Sequence, residues 1–165
     1  MKDGSRPRCA TLDADLGTLA IGCADGSVHF ADMSSAKIDE DKVLKGGGAP
    51  LTAIGFANKG MLLVTGNEKG ELTVWHVPTG KVKHTIAASE GAITAIAIHP
   101  KGKWFASGDA KGVVKLWSLD KGELITTLSA DGATKVQGLV FLDGGKSLAG
   151  ALGGKSVAVW DVAKL

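Results

Sequence analysis

The chain has 165 residues, 44% hydrophobic and 22% charged, which is enough apolar surface for a real core and too much for a disordered segment. Its net charge is only +2, and the lysines are scattered: the stretch up to Gly48 holds six basic and eight acidic residues and the remainder 13 and nine, so no polybasic patch points to a nucleic-acid partner. The N-terminal "MKDGSRPRCATLDADLG" has no apolar run and nothing approaches the roughly 18 apolar residues of a membrane span, so the expected address is cytoplasmic and no membrane partner is expected.

Twenty-four glycines and no tyrosine predict many tight turns rather than long helices. The first recognisable segment, from about Arg8, leads into "LGTLAIGCADGSVHFADMSSAKI". Cys9 and Cys23 lie in it without C-x-x-C spacing, so neither zinc nor thioredoxin-type chemistry is implied, and a hairpin turning near Leu16 leaves a cross-strand disulfide open. Met33 to Pro50, charged and ending in three glycines, reads as a longer fourth strand and a connection. A second segment, "KGMLLVTGNEKGELTVWHVPTGKV", follows. The third unit is the clearest: "AITAIAI" turns at "HPKGK" into "WFASG", turns at "DAKG" into the alternating "VVKLWSL", and turns at "DKG" into "ELITTL". The fourth, "GGKSLAGALGGKSVAVWDVAKL", has no fourth strand, giving fifteen strands in all.

The four segments are copies of one unit. Gly17, Gly60, Gly102 and Gly145 recur at spacings of 43, 42 and 43, and Ala31, Trp75, Trp117 and Trp160 at 44, 42 and 43. Trp160-Asp161 ends the last unit; its counterparts are Trp75-His76, Trp117-Ser118 and Ala31-Asp32. In this period and this dipeptide the chain resembles the WD-repeat β-propeller family. The resemblance covers nearly the whole chain and implies an all-β fold of four four-stranded antiparallel blades, the last incomplete. Approximate blade bounds are 8–48, 49–90, 91–134 and 135–165, within one repeat domain. It also implies a buried tetrad of histidine, serine or threonine, aspartate and tryptophan. Thr65 with Trp75 and Ser107 with Trp117 match its middle and last members. Lys69 and Lys111 occupy the aspartate positions, Asp25 keeps the aspartate in a unit without tryptophan, and Ser89 replaces the histidine of the third unit. The expectation is therefore a set of apolar blade cores without complete polar networks.

Rings of this family usually have more than four blades, so the chain is expected to form an open half-ring, or half of an eight-bladed ring of two copies closed through an isologous interface. About seven residues precede the first strand, too few to supply the missing outer strand.

Candidate chemistry is sparse. His29, His76, His84 and His99 lie in different strands or turns; His76 and His84 are expected to face each other across the Pro78 to Gly80 turn, with no third ligand. Trp104, with counterparts Leu19, Leu62 and Ser147, reads as packing between blades. The inner strands "TAIGF", "TAIAI" and "QGLVF" carry no ionisable group, so no catalytic site and no cofactor are expected. "AGALGGKS", Ala149 to Ser156, nearly spells a phosphate-binding loop, but an alternating strand follows it instead of a helix. The turns between second and third strands hold Asp25, Glu68, Lys69, Asp109, Lys111 and Lys155, a face suited to a protein or peptide partner, with the lysines favouring an acidic one. The expected function is a non-catalytic protein-protein interaction scaffold; the alternative is a self-assembling half-propeller.

Overall fold

The computed structural model describes residues 5–13, 15–35, 37–128, 134–153 and 156–165. Its strands form four separate antiparallel sheets, each in simple meander order. Blade 1 contains β1 (Pro7–Asp13), β2 (Thr18–Cys23), β3 (Ser27–Asp32) and β4 (Lys37–Lys45). Blade 2 contains β5 (Leu51–Ala57), β6 (Leu62–Asn67), β7 (Glu71–His76) and β8 (Lys81–Ala87). Blade 3 contains β9 (Ile93–Ile98), β10 (Trp104–Asp109), β11 (Val114–Ser118) and β12 (Leu124–Leu128). Blade 4 has three strands, β13 (Val136–Leu142), β14 (Ser147–Leu152) and β15 (Ser156–Asp161). The only helical element among the described residues is a single 3-10 turn, Asp143–Gly145.

Local chemistry explains the meander. Short strands of β-branched and apolar residues are interrupted wherever a glycine or an Asx side chain lets the backbone reverse. Gly60 and Gly102, in the turns after β5 and β9, both sit at positive φ, and each also lies against a side chain of the preceding blade, Asp13 and Asn58 respectively, where a Cβ would collide. The glycine spacing of 42 or 43 residues thus records both a turn conformation and a contact between blades.

Three hydrophobic clusters hold the sheets together, one between each consecutive pair. Val28, Phe30 and Leu44 of blade 1 pack on Leu51, Leu63 and Trp75 of blade 2. Val64, Leu72 and Val74 of blade 2 pack on Ile93, Phe105 and Trp117 of blade 3. Ala106, Val114 and Leu116 of blade 3 pack on Val136, Leu148 and Val162 of blade 4. No such cluster joins blade 4 to blade 1 among the described residues, so the stack is open, and its two end faces carry exposed apolar side chains.

Two readings of the sequence need correction. Trp104 pairs with Ser118 as Thr18 pairs with Asp32, so its counterpart in blade 1 is Thr18, and Leu19 corresponds instead to Leu63 and Phe105. The offset arises because Gly17 directly precedes Thr18 whereas Lys103 separates Gly102 from Trp104, so a column alignment on glycine shifts the first unit by one residue. His76 and His84 do not face each other: His76 pairs with Lys81 and bonds Thr79, whereas His84 pairs with Val74 and its Nε2 lies 2.6 Å from the Asp120 carbonyl. The hairpin closes with His76 opposite Lys81, which leaves His84 three residues further along β8.

Candidate functional site

The turns between second and third strands lie at one rim of the stack, beside the start of each first strand. Backbone N–H groups of Ala24, Glu68 and Ala110 donate to carbonyls of Arg6, Pro50 and Ala92, fixing each turn against the segment that enters its own blade. In blade 3, Asp109 Oδ1 accepts the N–H groups of Lys111 and Val113, both at 2.9 Å, and Oδ2 accepts the Ser89 hydroxyl at 2.5 Å. In blade 2, Asn67 does the same with Lys69 and Glu71 N–H, and its Nδ2 donates to Glu71 Oε2 at 2.8 Å. Behind these turns Trp75 Nε1 donates to Thr65 Oγ1 at 3.0 Å and Trp117 Nε1 to Ser107 Oγ at 2.8 Å.

Polar networks therefore persist, with the turn acceptor two residues earlier than the tetrad aspartate. A side-chain oxygen at Asn67 or Asp109 reaches the same N–H groups of the turn, which leaves positions 69 and 111 free to hold lysine. Lys115 completes blade 3: its ammonium donates to the Ala88 carbonyl at 2.5 Å and lies 5.9 Å from the Trp117 ring centre. Nothing in the spacing of the sequence announces these substitutes, since each depends on which side of a strand faces the turn.

The proposed partner-facing residues divide accordingly. Asp109 is buried and committed to the turn. Asp25 is exposed, and its carboxyl is held below the usual aspartate range chiefly by the Ser27 hydroxyl, which it accepts at 2.7 Å. Ser27 Oγ lies 3.2 Å from His29 Nε2 in turn, but with the carboxylate on the serine rather than the imidazole this is a structural chain and not a nucleophile with its base. Glu68 pairs with Arg8 at 2.6 Å and Lys111 with Glu90 at 2.7 Å, both at the surface. Lys69 is exposed, and no ion pair engages it among the described residues. Lys155 lies outside the described residues. Arg8 and Glu90, which adjoin the rim from neighbouring segments, escape a reading confined to the turns themselves.

Elsewhere, a groove of about 700 Å³ opens at the opposite rim, lined by Leu12, Asp15, Phe56, Lys59 and Lys101 among others. It mixes both signs of charge over an apolar floor. No group of three or more histidine, cysteine or carboxylate side chains able to hold a metal occurs among the described residues. "AGALGGKS" spans the end of β14 and the start of β15, a hairpin with a strand where a phosphate loop needs a helix.

Four-stranded meanders stacked face to face, with a tryptophan bonded to a serine or threonine across each of two middle blades, define a protein of the propeller-blade class. The model of the family described as WD domain, G-beta repeat matches residues 80–118, which run from the end of the second unit to the tryptophan strand of the third. The chain is 27% identical over 78 residues, 47% of its length, to the 66 kDa stress protein of Physarum polycephalum, and 28% identical over 84 residues, 50% of its length, to WD repeat-containing protein 1 of Gallus gallus. Fold and matches together support a WD-repeat family for the chain. The matched stretches span only 13% and 14% of those two relatives.

Proposed function

We infer that the protein is a non-catalytic interaction scaffold that receives a segment of another protein on the rim carrying Lys69, Lys111 and Asp25. Proteins of WD-repeat type bind other proteins in general, and the observation favouring this rim is Lys69, exposed in the β6–β7 turn with no counter-ion beside it among the described residues. Lys111 stands one blade away and holds Glu90 through an exposed pair, which an incoming carboxylate can displace at little cost. The partner segment is accordingly acidic. Cytoplasm suits two thiols on adjacent strands with no disulfide between them, and no helix is long and apolar enough to cross a membrane among the described residues. Fluorescence anisotropy with a labelled glutamate-rich peptide tests the reading: binding that weakens with salt and is lost in the K69E/K111E double variant supports it, and equal binding by both proteins overturns it.

A second reading, self-assembly through the ends of the stack, is favoured by the apolar end faces, where Val157 is 75% and Val159 62% exposed.

A further inference from the structure

The interfaces between blades share one pattern of sizes. Toward the next blade the first strand presents small residues, Ala53 and Gly55 in blade 2 and Ala95 and Ala97 in blade 3. Against them lie large ones, Ile96 with Ile98 and Leu139 with Phe141. Beside Ala53 and Ala95 the second strand carries Gly66 and Gly108, and the space a Cβ would take is filled by Ile93 and Val136 of the following blade.

The outer face of blade 4 is larger on balance: Gly138 takes the place of Ala95, but two other positions gain carbon. Val140, 53% exposed, stands where Ala97 stands in blade 3, and Ala151, paired with Gly138 as Gly108 is with Ala95, replaces the glycine. The outer face of blade 1 departs in the other direction. Ala10 occupies the position of Ile96, and Pro7 that of Ile93 and Val136. The carbon gained at Val140 on one free end is opposed by carbon lost at Ala10 on the other, an exchange of the kind packed cores tolerate best. The polar contact carries over as well. Thr52 and Thr94 donate to the carbonyls of Ile93 and Val136; Gln137, exposed, holds the same place in blade 4, and Pro7 supplies the corresponding carbonyl.

We propose that the outer face of blade 4, centred on Val140, Val157 and Val159, docks on the outer face of blade 1, centred on Ala10, Leu12 and Met33, of a second copy of this chain, and that two copies close on each other. This deepens the self-assembly reading and rests on it. Leu12 and Met33 are each 51% exposed and Val157 75%, so apolar area now in water would be removed at both junctions.

Sedimentation equilibrium on the full chain tests it with two single-end variants, Val159→Glu and Leu12→Glu, whose sites are exposed enough to leave the fold intact by circular dichroism; Val157→Lys and Met33→Glu stand in should either unfold. The wild type should have the mass of two chains without further growth, each variant alone the mass of one, and an equimolar mixture of the two variants the mass of two, because the mixture restores one intact junction. A wild type of one-chain mass, as expected if another protein's blade is the natural occupant, overturns both the proposal and the self-assembly reading. A two-chain wild type whose single-end variants remain dimeric overturns the proposed faces alone. A mass that keeps growing past two overturns the closed pair.

Discussion

The hydroxyl of Thr94 in blade 3 donates to the backbone carbonyl of Val136 in blade 4 at 2.5 Å, and Thr52 makes the same bond to Ile93 one blade earlier. These bonds run from the first strand of one blade to the first strand of the next, so they help fix the height at which one blade sits on the next. Thr94→Val keeps the shape, deletes the donor and leaves a partly buried carbonyl unpaired. A loss of about 1–2 kcal/mol in urea unfolding is expected; an unchanged midpoint would show that water replaces the hydroxyl.

Trp117 combines burial with the Ser107 bond, and its ring lies 6.4 Å from Phe105 in near-parallel orientation. Trp117→Ala should cost about 3–5 kcal/mol through the cavity it leaves. Trp117→Phe should cost less than half of that, mainly the stranded serine hydroxyl. Equal losses for the two variants would mean the indole N–H is the larger contributor.

Gly108 and Ala151 should respond in opposite ways to substitution. Gly108→Ala pushes a methyl into Val136 and is expected to destabilise by about 1–3 kcal/mol. Ala151→Gly, at the equivalent but exposed position, should change the thermal midpoint of the one-chain form by the equivalent of no more than about 1 kcal/mol. Similar effects at both sites would contradict the view that blade contact sets the glycine.

His99 makes stability depend on pH. Its ring is buried between Trp104 and Phe141, Nδ1 accepts the Lys101 N–H at 3.1 Å, and the Gly145 backbone bonds the ring from the next blade. Burial, assisted by Lys101 and Lys103, pushes its pKa below the ordinary 6.5. Protonation would also place a second N–H against that of Lys101. The unfolded chain therefore binds the proton more readily, so the stabilisation is complete above pH 6.5 and is lost progressively as the pH falls below it. The melting temperature should fall over that window in the wild type and fall less in His99→Gln; parallel profiles would remove His99 as the cause.

Burial, with Cys23 close by, raises the Cys9 thiol from 9.0 to about 11. Thiolate is the reactive form, so both thiols should label slowly in the native protein at neutral pH and rapidly in denaturant. Fast native labelling of one thiol per chain would show that Cys9 is more open than its surroundings imply.

Much of the architecture could be read from the chain. The repeat of glycine and tryptophan announced the units, and alternation within "VVKLWSL" announced a strand with one buried side, because side chains of a strand point alternately to its two faces. Thr65 with Trp75 and Ser107 with Trp117 were legible for the same reason: residues ten apart across a tight turn come to the same face of adjacent strands. The turn chemistry was less legible. Asp109 looked like a surface charge and is a buried acceptor, since a turn can recruit its oxygen from either of two neighbouring positions and only the backbone path decides which.

What the sequence determined on its own was local and periodic: fifteen short strands, four units, and no helix to convert "AGALGGKS" into a phosphate site. Which residues touch across units was decided by tertiary structure, because contacts such as Asp13 with Gly60, Asn58 with Gly102 and Thr94 with Val136 join segments about 42 to 47 residues apart that no local rule relates. The division of charges at the rim follows from the same cause. Lys69 and Lys111 are equivalent in the repeat, and only the connector folded beside Lys111, which brings Glu90 within 2.7 Å, makes them different.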